Sequence, residues 1–260
     1  MQTMGFRMTK RNPGARESGQ AAVEAAIILP LFVFLMLGIL QIGLMHQARL
    51  MTKYAAYRAV RAGAIHNAKT DEMERAALAV MLPLVSEAKS GGEVIKPINS
   101  ASDFSTKWTT GGVSKNEMPD AKMKYVEVVT CGPLKEDAGG GEEVDFDDPK
   151  IAGQAGWRES QRTKLRIQAT FNYRMPIPFA NWVIHSAAMN KEVPWVLRMG
   201  KKSTGTTGFE HSRYEKYKSA ASDGTYILPI RAAYTMRMQS NIYVSQLPES
   251  NLCLTSNVPK

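Results

Sequence analysis

Between Ala25 and Leu40 no polar side chain interrupts the chain. Continued as a helix to residue 45, this run is long enough to cross the roughly 30 Å hydrocarbon core of a bilayer, and no other segment approaches that length. The following stretch, "MHQARLMTKYAAYRAVRAGAI", is rich in helix formers and has no breaker before Gly63. The pattern therefore predicts one helix from about 20 to 65, about 69 Å long at 1.5 Å per residue. In its second half Leu50, Tyr54, Tyr57 and Ile65 recur at helical spacing with Arg49, Lys53, Arg58 and Arg61 between them. That spacing predicts an apolar stripe packed on the protein's own head and a solvated basic face.

A second helix is expected from about 70 to 88, with Thr70 as its cap, Asp71, Glu72 and Glu74 at its positive end, and Met73, Ala76, Ala77, Val80 and Leu84 as its stripe. Pro83 is expected to kink or end it. The Gly-, Ser- and Thr-rich segment that follows reads as a long connection with one short element near Phe104 to Trp108.

Three segments alternate with period two. In "TKLRIQATFNYRM", Leu165, Ile167, Ala169, Phe171 and Tyr173 oppose Lys164, Arg166, Gln168, Thr170 and Asn172. "KMKYVEVVTC" and "YILPIRAAYTMRMQ" behave similarly, the latter with Ile230, Ala232, Tyr234, Met236 and Met238 on one face. Alternation of this kind predicts a small antiparallel sheet with one face buried and one wet. "PIPFANWVIHSAAM" places Phe179, Trp182, Val183 and Ala187 on one helical face, predicting a short helix laid on that sheet. The expected class is α+β, divided into a basic leader (1–19), a membrane and spine helix (20–66) and an extracytoplasmic head (67–260).

Charge orients the span. Arg7, Lys10, Arg11 and Arg16 precede it against Glu17 alone, which predicts a cytoplasmic N-terminus and a head on the far side, periplasmic in a bacterium. The apolar run is too long for a cleaved secretory signal, and no small-x-small exit follows it. The net charge of +9 invites a nucleic-acid reading around Lys201, Lys202, Arg213, Lys216 and Lys218, interleaved with Tyr214 and Tyr217. No recognition motif accompanies those charges, so a basic loop is expected and no nucleic-acid partner.

The chain offers little catalytic chemistry. His46, His66, His185 and His211 lack metal-ligand spacing, and there is no G-x-S-x-G elbow. "GKKSTGTTG" lacks the glycine that a phosphate loop needs, and Asp145, Asp147 and Asp148 lack the glycine and distal glutamate of a calcium loop. Neither an enzyme, a cofactor nor a metal is expected. Cys131 and Cys253 lie in the part expected to be extracytoplasmic, where a disulfide is permitted; two separate buried thiols are the other outcome.

One feature of the apolar run stands out. Gly19, then four residues, then Glu24 leading an uninterrupted apolar helix behind a short basic leader, resembles the cleavage region of type IV prepilins. More closely, "GQAAVEAAIILPLFVFLMLGILQIGLMHQARLMTKYAAYRAVRAGA" resembles the TadE-like pseudopilins of the Tad (Flp) tight-adherence pilus; "PIRAAYTMRMQSN" looks similar too. The resemblance implies a minor pilin or pseudopilin cut by a prepilin peptidase between Gly19 and Gln20, with Ala25 standing where an aromatic residue is common. It implies that Glu24 makes an assembly contact with the new N-terminus of a neighbouring subunit. The implied partners are other Tad pilins and pseudopilins, the inner-membrane platform and membrane lipid, in a homo- or hetero-oligomeric pilus. Val23, Ile27, Leu31, Phe34 and Gly38 are the expected helix-packing residues, with Gly38 and Gly43 permitting close approach. An uncleaved, single-pass periplasmic binding protein is the alternative.

Overall fold

The computed structural model describes residues 17–89, 92–110, 112–138, 141–148, 162–188, 214–251 and 253. The leader up to residue 16 and the "GKKSTGTTG" segment lie outside the described residues. Helix α1 (Glu17–Ile65) is continuous through Pro30. After a turn in which Asn67 and Ala68 are left-handed (φ 56° and 59°), α2 (Thr70–Met81) packs against it. Lys69, not Thr70, takes the N-cap position, and its side chain makes no capping hydrogen bond. The helix stops at Met81, and Pro83 sits in the single 3₁₀ turn that follows, where its missing N–H costs nothing.

The segment expected to be a long connection with one short element near Phe104 to Trp108 holds that element as helix α3 (Ala101–Thr109), and flanks it with two small hairpins that were not expected, of β1 (Glu87–Lys89) and β2 (Gly92–Val94), and of β3 (Glu117–Met118) and β4 (Met123–Lys124). Ser100 caps α3 by accepting from the Asp103 N–H at 3.1 Å. Then come β5 (Val126–Gly132), β6 (Glu143–Val144), β7 (Lys164–Arg174), α4 (Ala180–Ala188), α5 (Tyr214–Ser222), β8 (Ile227–Arg237) and β9 (Ile242–Tyr243). β5, β7 and β8 form an antiparallel sheet with β7 in the middle, and β6 pairs with β9. The expected α+β class and antiparallel sheet are thus the observed ones.

Spine and head share one core. The face of α1 that packs on α2, β7 and β8 is made of Ala48, Ala55, Ala56, Ala59, Val60 and Ala64, all 1% exposed or less. Of the larger stripe expected there, Leu50, Tyr54 and Ile65 are about half exposed, and Tyr57 alone turns inward, against the head. Small side chains let three elements approach one helix closely, and bulky ones would hold them off. Gly63 shows the limit, since a Cβ added there would sit 2.5 Å from Met73 Sδ and 2.8 Å from Leu165 Cδ2.

Two further expectations are corrected. On β7 the inner residues Leu165, Ile167, Ala169, Phe171 and Tyr173 are buried, but from Thr170 onward the second face is buried as well. Tyr217 of α5 covers it, its hydroxyl donating to Asn172 Oδ1 at 2.7 Å, and Arg174 ends in a carboxylate pair beyond it. On α4 the buried residues are Ala180, His185 and Ser186, while Phe179, Trp182 and Val183 point outward at 61%, 44% and 37% exposure. That helix lies beside α1 and β8, with its apolar face turned away from the sheet.

Candidate functional site

All residues from 21 to 36 are exposed on every side of α1. Val23, Ile27, Leu31, Phe34 and Gly38 lie within an arc of about 80° on this helix, at 100° per residue, with the first four 55% to 68% exposed. Glu24 is exposed and belongs to the same bare segment. Gly19, in the first turn of the helix, has open space where a Cβ would stand, and so do Gly38 and Gly43. These five positions thus lie along one side of the helix, and toward the end of that side the head begins to flank it.

That junction is specific. Gln41 is fully buried, its Oε1 accepting from the Ile177 N–H at 3.1 Å, and Phe34 meets Phe179 edge-on with ring centroids 5.7 Å apart. At the other end of α1, Tyr57 stacks edge-on against Tyr234 of β8 at 5.4 Å. The Ala64 carbonyl accepts from Gln239 N–H and Ser240 Oγ at 2.9 and 3.0 Å. The two stretches "AAYRAVRAGA" and "PIRAAYTMRMQSN" are thus one packed unit. Sequence reasoning did not single out Gln41 or Phe179 as junction residues, although a lone amide in a long apolar run was the available signal for Gln41.

The head is held by polar clusters that join distant segments. Arg174, 3% exposed at its side chain, donates to both Glu93 and Asp120, its shortest bonds 2.6 Å to each. Burial alone would lower the Arg174 pKa, but those two carboxylates raise it above its ordinary value. Burial likewise pushes the Asp120 carboxyl up, and Arg174 outweighs this and holds it below its ordinary value of 3.8. Glu74 of α2, buried, accepts from Lys124 Nζ at 2.8 Å and Asn116 Nδ2 at 3.2 Å. Asn116 itself, left-handed at φ 56°, bonds both the N–H and the C=O of Val126 and so stands in for a strand neighbour.

Cys131 and Cys253 are joined in a disulfide, their Cα atoms 5.2 Å apart, which ties the end of β5 to the C-terminal segment. In the basic region Lys216 and Lys218 are exposed on α5 while Tyr217 between them is buried, so its ring offers no stacking surface beside those charges. Among the described residues, no three His, Cys, Asp or Glu side chains cluster as metal ligands.

A bare apolar helix leading into a head that shares its core defines a helix-stalked α+β protein, long and apolar enough in one place to cross a membrane. Over residues 19–61, which contain Gly19, Gln20, Glu24 and the whole bare segment, the chain matches the family model described as TadE-like protein. The matched segment is the one whose residue pattern resembles that family. No curated protein and no solved structure matches the chain.

Proposed function

We infer that this protein is a minor pilin or pseudopilin of a Tad-type pilus, held in the inner membrane by α1 with its head in the periplasm, and recruited into or priming the fibre through that helix. The observation that carries the reading is the bare segment from 21 to 36, an apolar helix exposed on all sides that ends where the head begins. In a pilus such helices bury one another. Small-residue gaps at Gly38 and Gly43 permit close approach, and Glu24 near the start of the helix offers a carboxylate to a neighbour's terminal ammonium.

Processing between Gly19 and Gln20 would remove the basic leader and create that ammonium. The proposed divisions are a leader at 1–19, a membrane and spine helix at 20–66 and a head at 67–260, with prepilin peptidase, other Tad subunits and the platform as partners. The role is structural. The oxidising compartment proposed for the head suits its disulfide.

Mass spectrometry of the N-terminus in cells with and without the prepilin peptidase tests the reading. The expected result is Gln20 as the first residue only when the peptidase is present, together with recovery of the chain in sheared pili. An intact leader in both strains, with function retained after Glu24→Ala, would instead favour a permanently anchored binding protein.

A further inference from the structure

The bare part of α1, residues 21–36, is 16 residues long, or about 24 Å. That is shorter than the roughly 30 Å of hydrocarbon it has to cross. The missing depth is found in the next turns. There one side of α1 meets the head at Gln41, while Ile39, Leu40 and Ile42 on the other side remain 58% to 61% exposed. With α1 anchored as proposed above, lipid covers these residues before assembly, so the hydrocarbon extends to the level at which α4 and its lead-in lie against the helix.

The surface that the head presents at this level matches. Phe179 touches Phe34, inside the bare segment, and Trp182 and Val183 continue the exposed face. Phe179 is also left-handed at φ 65°, a conformation that bulky residues rarely adopt, and it turns the ring toward α1 and away from the sheet. Next to this junction a groove of about 450 Å³ opens between α1 and β8, lined by Ile42, Met45 and Leu228 and also by His46, Arg49 and Arg231. His46 and Arg49 lie about 6 and 10 Å beyond Ile42 along the axis; the first is within the roughly 5–7 Å headgroup layer that follows the hydrocarbon, and the second is just past it, with a side chain long enough to reach back.

We propose that the underside of the head is itself a lipid-binding surface: Phe179, Trp182 and Val183 sit in the outer leaflet beside Phe34, with the exposed Arg49 of the adjoining groove at the phosphates. This rests on the anchoring of α1 proposed above. The apolar face of α4 is buried by acyl chains, as in an interfacial helix, and Trp182 takes the position that aromatic side chains favour at membrane boundaries. The head is thereby fixed in tilt and rotation on the membrane before assembly, and extraction into a fibre has to strip this contact.

The full-length protein is reconstituted into phosphatidylcholine vesicles whose acyl chains carry bromine, with Trp108, Trp157 and Trp195 replaced by Phe so that Trp182 is the only emitter. Trp182 is expected to lose most of its emission relative to unbrominated vesicles. A second protein with Trp182→Phe and Phe34→Trp reports on α1. Quenching at position 34 without quenching of Trp182 leaves the anchor standing and overturns the lipid-bound head; quenching at neither overturns both. To avoid the multiple replacements, p-benzoylphenylalanine is placed at position 183 in the otherwise native chain and irradiated in membranes. A phospholipid adduct supports the proposal, and a protein adduct, to a second copy or another subunit, overturns it.

Discussion

Ser240 and Ala64 are 176 positions apart, yet the Ser240 hydroxyl donates to the Ala64 carbonyl at 3.0 Å and accepts from the Asn67 N–H at 2.9 Å. One side chain after the last long strand thus satisfies a carbonyl and an N–H left over where the spine helix ends. Ser240→Ala is expected to cost about 1–2 kcal/mol, measured by thermal unfolding of the detergent-solubilised chain. Ser222→Ala, which loses only a local bond to Ser219 O on the surface, is expected to change stability within about 0.5 kcal/mol.

Two glycines of α1 separate folding from assembly. Gly63→Ala forces Met73 and Leu165 apart and is expected to destabilise the head by about 1–3 kcal/mol, although alanine favours a helix by about 1 kcal/mol over glycine. Gly38→Ala meets nothing within 4 Å and should leave head stability unchanged or slightly raised. A loss of piliation in Gly38→Ala, with an unaltered melting temperature, therefore reports on contacts between subunits.

The buried Arg174 serves two carboxylates at once, so Arg174→Met is expected to cost about 3–5 kcal/mol by stranding Glu93 and Asp120. Arg174→Lys should recover little of this, because one ammonium lacks the fork that reaches both. Since the folded pKa of Asp120 lies below 3.8, its contribution is complete above about pH 4 and is lost as the pH falls through the folded value. Asp120→Asn should flatten that acid limb in a stability-against-pH series.

Tyr173 titrates at the other extreme. Burial pushes its phenol up to about 12, against a slight opposing effect of Gln41, and its hydroxyl is buried with no well-formed hydrogen bond. A raised pKa means stability that is intact below pH 10 and lost as the pH rises toward 12, on the order of 3 kcal/mol. Tyr173→Phe should abolish this alkaline loss and be neutral or mildly stabilising at pH 7, since no hydrogen bond is given up. Urea midpoints across pH 7 to about 12 provide the check.

The disulfide closes a separation of 122 residues, which in the chain-entropy view is worth about 4–5 kcal/mol. Cys131→Ser with Cys253→Ser, or the native chain in dithiothreitol, should show a loss of that order in urea unfolding.

Periodicity alone made several elements legible. The unbroken run from Ala25 to Leu40 could only be a helix for lipid or for other helices, strict alternation in β7 marked a strand with a buried face, and Pro83 marked the end of α2. The spacing of Gly19 and Glu24 ahead of the apolar run was legible as a linear pattern, and the family model matches the segment that contains it. Amphipathicity was less informative for α4, because an apolar face reports that something will cover it and not what does.

What the sequence determined by itself is local: the period of each element and the apolar run near its start. Tertiary structure decided which polar groups go inside and which apolar groups stay out. Arg174, Glu93 and Asp120 are bonded together across 81 and 54 positions, and nothing in their immediate neighbours marks them as buried. On α1 the tertiary fold chose alanines for the core and left Leu50 and Tyr54 outside, because the closeness of three packed elements depends on how near their backbones come, a distance that no one-dimensional pattern contains.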